Sequence, residues 1–390
     1  MQQQSVNVAF MINSLEGGGA ERVMCNLLRI MESYFATEQL NVYLILLDNL
    51  PEAHLCPKYV NKINLDTKGS LLQGYRQVRL TLEAINPRFC FSFLTRSNML
   101  NVAVSRSVGY RAIISERVNT SSHFAGGIKD DISKLMVKMS YPHANEVVAV
   151  SEGVRADLQQ NFAVPAQRLR VIHNPYDIAH LHELANKPVT DLPGKPYIIG
   201  TGRLVKNKNF SLMLEALAQS ELTDDLLILG QGDEQPALAA QAAQLGLSER
   251  VHFAGFRSNP YPYLKHARLF VSTSNAEGFP NAIVEAMCLG KAVVATNCES
   301  GPAEILSGRY PVKVSGFEAV RYGCLCQINN VQGVTDALNF LNDESHLQHY
   351  SEQSAKRAQA FSDDIFREKI IQTVTATTSE PKENAYVHTG

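Results

Sequence analysis

Short apolar runs rich in Val, Ile, Leu and Phe alternate along this chain with longer stretches whose apolar residues recur at helical spacing. The first kind predicts buried strands and the second predicts helices packed over them, the pattern of a parallel α/β protein. Strands are expected at residues 6–11, 42–47, 89–93, 112–115 and 147–150, and the rhythm restarts at 197–200, 226–229, 251–254, 269–272 and 292–295. The chain therefore reads as two doubly wound units. Between them, residues 174–196 hold Pro175, Pro188, Pro193, Gly194 and Pro196, a density of breakers suited to a linker, with the boundary near residue 188. From Gly323 onward the pattern predicts helices, at 334–341, 347–361 and 365–374. Residues 377–390 carry no apolar period and are expected to be disordered.

The segment EGFPNAIVE, residues 277–285, carries the most chemistry. Pro280 and Asn281 suit a turn entering a helix, and Ala282, Ile283, Val284, Ala286 and Met287 supply its apolar face. Glu277 then precedes the helix and Glu285 lies one turn inside it. The backbone N–H groups of residues 279–282 lie between the two acids and favour an anion. A capped core helix with solvated acids gives the same spacing, because acids near a helix N-terminus gain a few tenths of a kcal/mol from its dipole. A nucleotide sugar explains more: its pyrophosphate takes the N–H groups and its hydroxyls donate to the carboxylates.

Other loops gain meaning from their place after strands. GTGRLVKNKNF puts Arg203 and Lys208 just beyond Gly202, a planar fork and a mobile point charge able to neutralise a diphosphate. In an open α/β sheet the carboxyl ends of the strands share one edge, so this turn, the turn Gly230-Gln231-Gly232 and the EGFPN loop are expected to converge. NSLEGGGAER gives the first unit a flexible turn at Gly17, Gly18 and Gly19 before a helix, without the GxGxxG pattern and following acid of a dinucleotide site. That absence argues against a nicotinamide dehydrogenase. SERVNTSSH offers Glu116, Arg117, Asn119 and His123 at another strand end, although one His in a polar loop is more often incidental. Ser151 reads as a helix cap, and His173 as a packed or hinge-facing histidine.

Composition narrows the class. The 390 residues are 45% hydrophobic and 19% charged, as expected of an ordered protein of two domains, and the net charge of −2 gives no reason to propose nucleic acid. No apolar run is long enough to span a membrane and MQQQSVNVAF lacks the form of a signal peptide, so a cytoplasmic location is expected. The seven cysteines are odd in number and scattered, which suggests reduced thiols used in packing. No motif indicates a metal. In IKDDISKLMVKMSY, residues 128–141, three lysines alternate with apolar residues at helical spacing. That suits a helix lying on a membrane surface, as does ordinary docking of a surface helix.

EGFPNAIVEAMCLGKAVVAT, with GRLVKNKN, ILGQGDE, VHFAGF and GGGAER, resembles the GT-B glycosyltransferases of family 4 over most of residues 5–375. The resemblance implies two Rossmann-like domains facing across a cleft. Residues 1–187 would receive an acceptor, 188–362 would hold a nucleotide sugar, and a helix at 363–376 would cross back to the first domain. It implies glycosyl transfer with retention of configuration and without a metal or other cofactor. Arg203 and Lys208 would bind the diphosphate, Glu277 the donor sugar, and Glu285 the ribose. Gly202, Gly230, Gly232, Phe256, Gly278, Phe279, Pro280 and Asn281 would line the donor, with Gly18 and Gly19 opposite. His123 would join Arg203, Lys208 and Glu277 as a catalytic residue, and Arg117 would bind the acceptor. The chain is similar to bacterial enzymes that add a hexose or N-acetylhexosamine to lipid-linked oligosaccharide, O-antigen or capsule intermediates, which implies a UDP-sugar donor such as UDP-GalNAc, UDP-Gal or UDP-Glc; some of these enzymes rest on the cytoplasmic face of the inner membrane. A nucleotide-sugar 2-epimerase and a non-catalytic sugar-nucleotide-binding protein remain as alternatives.

Overall fold

The computed structural model describes residues 6–124 and 126–376; the tail expected to be disordered lies outside the described residues. Among the described residues, fourteen strands form two seven-stranded sheets. The first contains β1 (Val6–Ile12), β2 (Leu40–Leu46), β3 (Asn61–Asn64), β4 (Phe89–Phe93), β5 (Arg111–Glu116), β6 (Glu146–Ala149) and β7 (Leu169–Val171). Their order is β3-β2-β1-β4-β5-β6-β7, and every pairing is parallel. The second contains β8 (Tyr197–Thr201), β9 (Asp225–Leu229), β10 (Val251–Gly255), β11 (Leu269–Ser272), β12 (Ala292–Thr296), β13 (Phe317–Val320) and β14 (Gly323–Cys326). Here the order is β10-β9-β8-β11-β12-β14-β13, parallel except for the β13–β14 pair.

Both sheets bury their faces, which is why the strands read as unbroken apolar runs: every residue of β4, β9 and β12 is buried. The order reverses at one place in each sheet, between β1 and β4 and between β8 and β11. Loops leaving those strand ends diverge and leave a crevice. The glycine turn follows β1, the Arg203–Lys208 turn follows β8, and the EGFPN loop follows β11.

The expectation of a purely helical region after Gly323 is corrected. Gly323–Cys326 is a fully buried strand, followed by the helices Val331–Phe340 and Glu344–Ala358. Four residues give too short a run for a period to show, and the antiparallel partner Phe317–Val320 is an edge strand with two exposed members. The breaker-rich passage is also more ordered than its prolines suggest. Ile178–Ala185 forms a helix whose first turn is capped by Asp177 Oδ1, which accepts from His180 N–H at 3.0 Å, and whose Leu181 and Ala185 are buried. The helix Asp363–Thr375 returns to the first unit, inserting Phe366, Ile370 and Val374 among residues of β1, β2 and β4. Arg29 grips its start through Asp363 Oδ2 at 2.9 Å, and Arg111 donates to the carbonyls of Thr373 and Val374 at its end. All seven cysteines are free thiols and six are buried. No helix among the described residues is long and apolar enough to cross a membrane.

Candidate active site

The Arg203–Lys208 turn and the EGFPN loop meet because β8 and β11 are neighbours at the order reversal. Asn209 has a left-handed backbone (φ +48°), which bends the chain so that Lys208 and Asn209 present their carbonyls to the Thr273 hydroxyl at 3.2 and 2.9 Å. Asn275 N–H donates to the Asn207 carbonyl at 2.8 Å, and Asn207 Nδ2 returns a bond of 2.8 Å to Ala276 O. With the two loops stitched together, Lys208 Nζ donates to Glu277 Oε1. Both side chains are mostly withdrawn from water, with 26% and 14% exposed, so the pair interacts more strongly than surface charges do. Arg203 is exposed on the same turn and forms no ion pair with the described residues.

Beyond Glu277 the helix Asn281–Cys288 begins where the pattern placed it, and its entry has no side-chain cap. Among the described residues no acceptor is bonded to the N–H groups of Gly278, Phe279 or Ala282, so they remain available to an anion. Glu285 is 8% exposed, and its Oε1 takes a 3.0 Å bond from Arg22 Nη2 and a 3.5 Å bond from the Tyr261 hydroxyl. Arg22 belongs to the first unit, in the helix Gly19–Ile30, so this bond spans the crevice. Glu285 holds the Arg22 guanidinium well above its usual range. Oε2 takes no hydrogen bond from the described residues.

The other expected residues divide by what they touch. Gly18 caps the Gly19–Ile30 helix, and a methyl group on Gly19 would lie 3.5 Å from Asn281 Nδ2, which places the glycine turn opposite Asn281. Gly230 has φ +145°, and a Cβ there would overlap the Gly202 carbonyl oxygen, while one on Gly232 would overlap that of Leu204. Gly230 and Gly232 thus let their loop pack backbone to backbone on the turn after β8. Phe256 is 67% exposed beyond β10. The ring of Phe279 does not line the loop's open side. It is buried, stacked on His173 at 5.2 Å and edge-on to Phe361 at 5.7 Å. His173 is packed, with Nε2 at 3.0 Å from Glu304 Oε2. Pro280 packs against the turn at Gly301.

On the first unit Glu116 is an anchor. Buried, it accepts the Tyr141 hydroxyl at 2.6 Å and the N–H groups of Arg117 and Val118, which fixes the turn after β5. Arg117 lies over the Phe93 ring at 4.9 Å and donates to Asn174 Oδ1; burial lowers its guanidinium to about 10. Asn174 Nδ2 and the Tyr176 hydroxyl both donate to Asn281 Oδ1 at 2.6 Å. Arg117 thus reaches the second unit's loop through one asparagine. His123 is exposed, packs edge-on to Phe124, and forms no hydrogen bond or ion pair with Lys208 or Glu277.

Sequence reasoning missed Arg22, Asn174, Tyr176 and Glu304, which join the units. Glu304 accepts the Glu152 N–H at 2.8 Å and so caps a helix of the first unit from the second. Arg22 could have been found, since it lies one turn after Gly19 in the glycine motif. Its partner is 263 residues away, beyond any local period. Two cavities flank the EGFPN loop. One of about 430 Å³ is lined by Arg22, Tyr176, Tyr261, Asn281 and Glu285, and one of about 600 Å³ runs past Asn275 and Ala276 beside Glu277. Among the described residues no three His, Cys, Asp or Glu side chains gather as a metal site.

Comparison with known proteins agrees with this geometry. The family described as Glycosyltransferase Family 4 matches residues 100–180, and Glycosyl transferases group 1 matches residues 184–358. A relative from Campylobacter jejuni, N-acetylgalactosamine-N,N'-diacetylbacillosaminyl-diphospho-undecaprenol 4-alpha-N-acetylgalactosaminyltransferase, is 28% identical over 368 residues, 90% of this chain and 94% of its own. The lipopolysaccharide 1,6-galactosyltransferase of Salmonella typhimurium is 26% identical over 42% of this chain and 46% of its own. Anabaena HepE, solved in complex with UDP, superimposes with a TM-score of 0.74 at 20% identity, covering 95% of this chain and 100% of its own. The lipopolysaccharide outer core galactosyltransferase WaaB gives 0.74 at 18% identity over 95% and 99%. Two facing Rossmann-like units, a crevice at the order reversal of each sheet and both domain families matched in sequence show a chain that joins a Glycosyltransferase Family 4 domain to a Glycosyl transferases group 1 domain in the GT-B fold.

Proposed function

We propose that this protein is a retaining, metal-independent glycosyltransferase that moves a hexose or N-acetylhexosamine from a UDP-sugar to a lipid-linked saccharide. The observation that carries this reading is the Lys208–Glu277 pair at the β8/β11 reversal. A diphosphate competes with Glu277 for Lys208, and Arg203 adds a second positive charge at the same turn. Together they stabilise the leaving UDP as its charge develops, the role a metal fills elsewhere. Glu277, released from Lys208, accepts the donor sugar's hydroxyls and supports positive charge at the ring. Glu285 offers Oε2 to the ribose while Arg22 fixes Oε1. In this reading residues 188–362 hold the donor and 1–187 the acceptor. The names of the relatives support it, since one acts on a diphospho-undecaprenol saccharide and HepE was solved with UDP. UDP release should be measured over a panel of UDP-sugars with undecaprenyl-diphosphate saccharides as acceptors. UDP produced only when donor and acceptor are both present is the expected result; a free, altered monosaccharide without acceptor would indicate the epimerase instead.

The crossing bond gives a second prediction. Arg22 is 41% exposed, so the bond is worth about 1 kcal/mol after solvent screening, and Arg22→Ala should weaken UDP binding about fivefold. Titration calorimetry checks this, and an unchanged Kd would mean that Glu285 needs no help in orientation.

The same reading places the protein on the cytoplasmic face of the inner membrane through the helix Ile128–Ser140. Ile128, Ile132, Leu135 and Met139 repeat along one side of it and are 80%, 53%, 56% and 67% exposed. Val137, on the opposite side, is the residue buried against the fold. Docking onto the sheet therefore does not explain the apolar stripe. Lys129 and Lys138 are exposed beside it and suit anionic headgroups. Each apolar side chain withdrawn from water contributes up to about 1.5–3 kcal/mol. Ile132→Asp with Leu135→Asp should reduce sedimentation with phosphatidylglycerol vesicles at least tenfold and leave UDP binding unchanged.

A further inference from the structure

The 600 Å³ cavity beside Glu277 has a composition that the donor does not explain. Asn119, Ser122 and Asp157 of the first unit face Asn275, Asn297 and Glu299 of the second across it, and among the described residues no Lys, Arg or His lines it. A diphosphate has no cation to meet there. The cavity nevertheless adjoins the reacting centre: Ala276 is in its wall, and the buried Cys298 thiol beside it is pushed up to about 12 by burial and by the Glu277 carboxylate. Its surface is amide, hydroxyl and carboxylate, the groups that bind sugar hydroxyls and acetamido groups. Asp157 is held in one orientation by the Ser121 N–H at 3.1 Å, the Ser121 hydroxyl and Asn161 Nδ2 at 2.8 Å, all neutral donors. Asn297 Oδ1 is a buried acceptor without a partner in the same wall. The Tyr310 hydroxyl, also in the wall, is raised above its ordinary value by burial and by the Glu299 charge.

We infer that this cavity seats the terminal sugar of the acceptor, and that Asp157 and Glu299 select an uncharged hydroxyl- or acetamido-sugar against a uronate or a phosphorylated sugar. The inference rests on the glycosyltransferase reading above and adds the charge of the acceptor to it. Two carboxylates with no cation in the cavity wall itself repel an anionic sugar, while each offers a neutral sugar an acceptor oxygen. Electrostatics supplies the discrimination and the cavity shape does not, so changing one charge should change it.

Saturation-transfer NMR in the presence of UDP tests this, with methyl N-acetyl-α-galactosaminide and methyl glucuronide as probes. The wild-type protein is expected to bind the acetamido sugar at least tenfold more tightly. Ala156→Phe, which fills the cavity from its wall, should abolish that signal, and Glu299→Lys should raise glucuronide affinity at least threefold. Equal affinities, no binding of either probe, or an undiminished signal in Ala156→Phe would overturn the assignment. Calorimetry with UDP on the same samples separates the two levels: a wild-type protein that binds no UDP sinks the glycosyltransferase reading itself, whereas UDP binding with indifferent probes sinks the cavity alone.

Discussion

Glu277→Gln is expected to lower kcat at least 100-fold while leaving the Kd for UDP within about threefold of wild type. The substitution keeps the size and hydrogen-bonding reach of the side chain and removes its charge. Lys208 then loses its partner but stays free for the diphosphate, so binding of the leaving group survives. What disappears is the carboxylate proposed to support charge on the sugar ring. Preorganised groups of that kind are worth about 10²–10³ in rate when one is removed. Lys208→Ala separates the two proposed roles from the other side: it should lower kcat and also weaken UDP binding, because it removes the charge proposed to hold the diphosphate. Steady-state kinetics with calorimetry on both variants checks the pair. Wild-type turnover by Glu277→Gln would remove this residue from the site.

Gly278→Ala is expected to cost about 100-fold in turnover for a different reason. Gly278 lies where the donor loop touches the first unit. A Cβ there would overlap the Arg117 carbonyl oxygen and come within 2.9 Å of Val118 Cα. Neither contact is with a flexible side-chain end that can swing aside, since the turn after β5 is held by buried Glu116. The methyl group therefore forces the two units apart beside Glu277, the proposed reacting centre. A displacement of about 1 Å is enough to cost 10²-fold in rate. UDP binding, assigned in the proposed reading mainly to residues of the second unit, should weaken by no more than the roughly fivefold expected from loss of the Arg22–Glu285 bond. Small-angle scattering should show a wider cleft than in the wild type, and an unaltered profile with full activity would contradict a close contact between Gly278 and the turn after β5.

The fold was readable in the chain because the sheets are mostly parallel and buried on both faces, so the central strands other than the four-residue β14 left apolar runs. β3 and β7 were not, being three or four residues long and partly exposed at or near a sheet edge. The helix Ile178–Ala185 was hidden by the prolines around it, although Asp177 and the buried Leu181 supply its cap and contact. At the site, the meeting of Lys208 with Glu277 follows from strand order, and the EGFPN and GTGRLVKNK motifs lie at the strand ends that the order brings together. The joints between the units were invisible. Arg22–Glu285, Asn174–Asn281 and Glu304–Glu152 link positions more than 100 residues apart, and no local spacing encodes which loops of two separate sheets will face each other. Phe279 shows the reverse error of emphasis: its motif belongs to the donor loop, but its ring packs against His173.

The most direct test is proton NMR of a running reaction containing UDP-N-acetylgalactosamine and an undecaprenyl-diphosphate saccharide, following the anomeric signals of donor and product together. Loss of the donor's α-anomeric signal matched by UDP and by one new α-glycosidic signal on the acceptor is the predicted result. A β-glycoside, or a free monosaccharide with the acceptor untouched, would contradict retaining transfer at the Lys208–Glu277 pair.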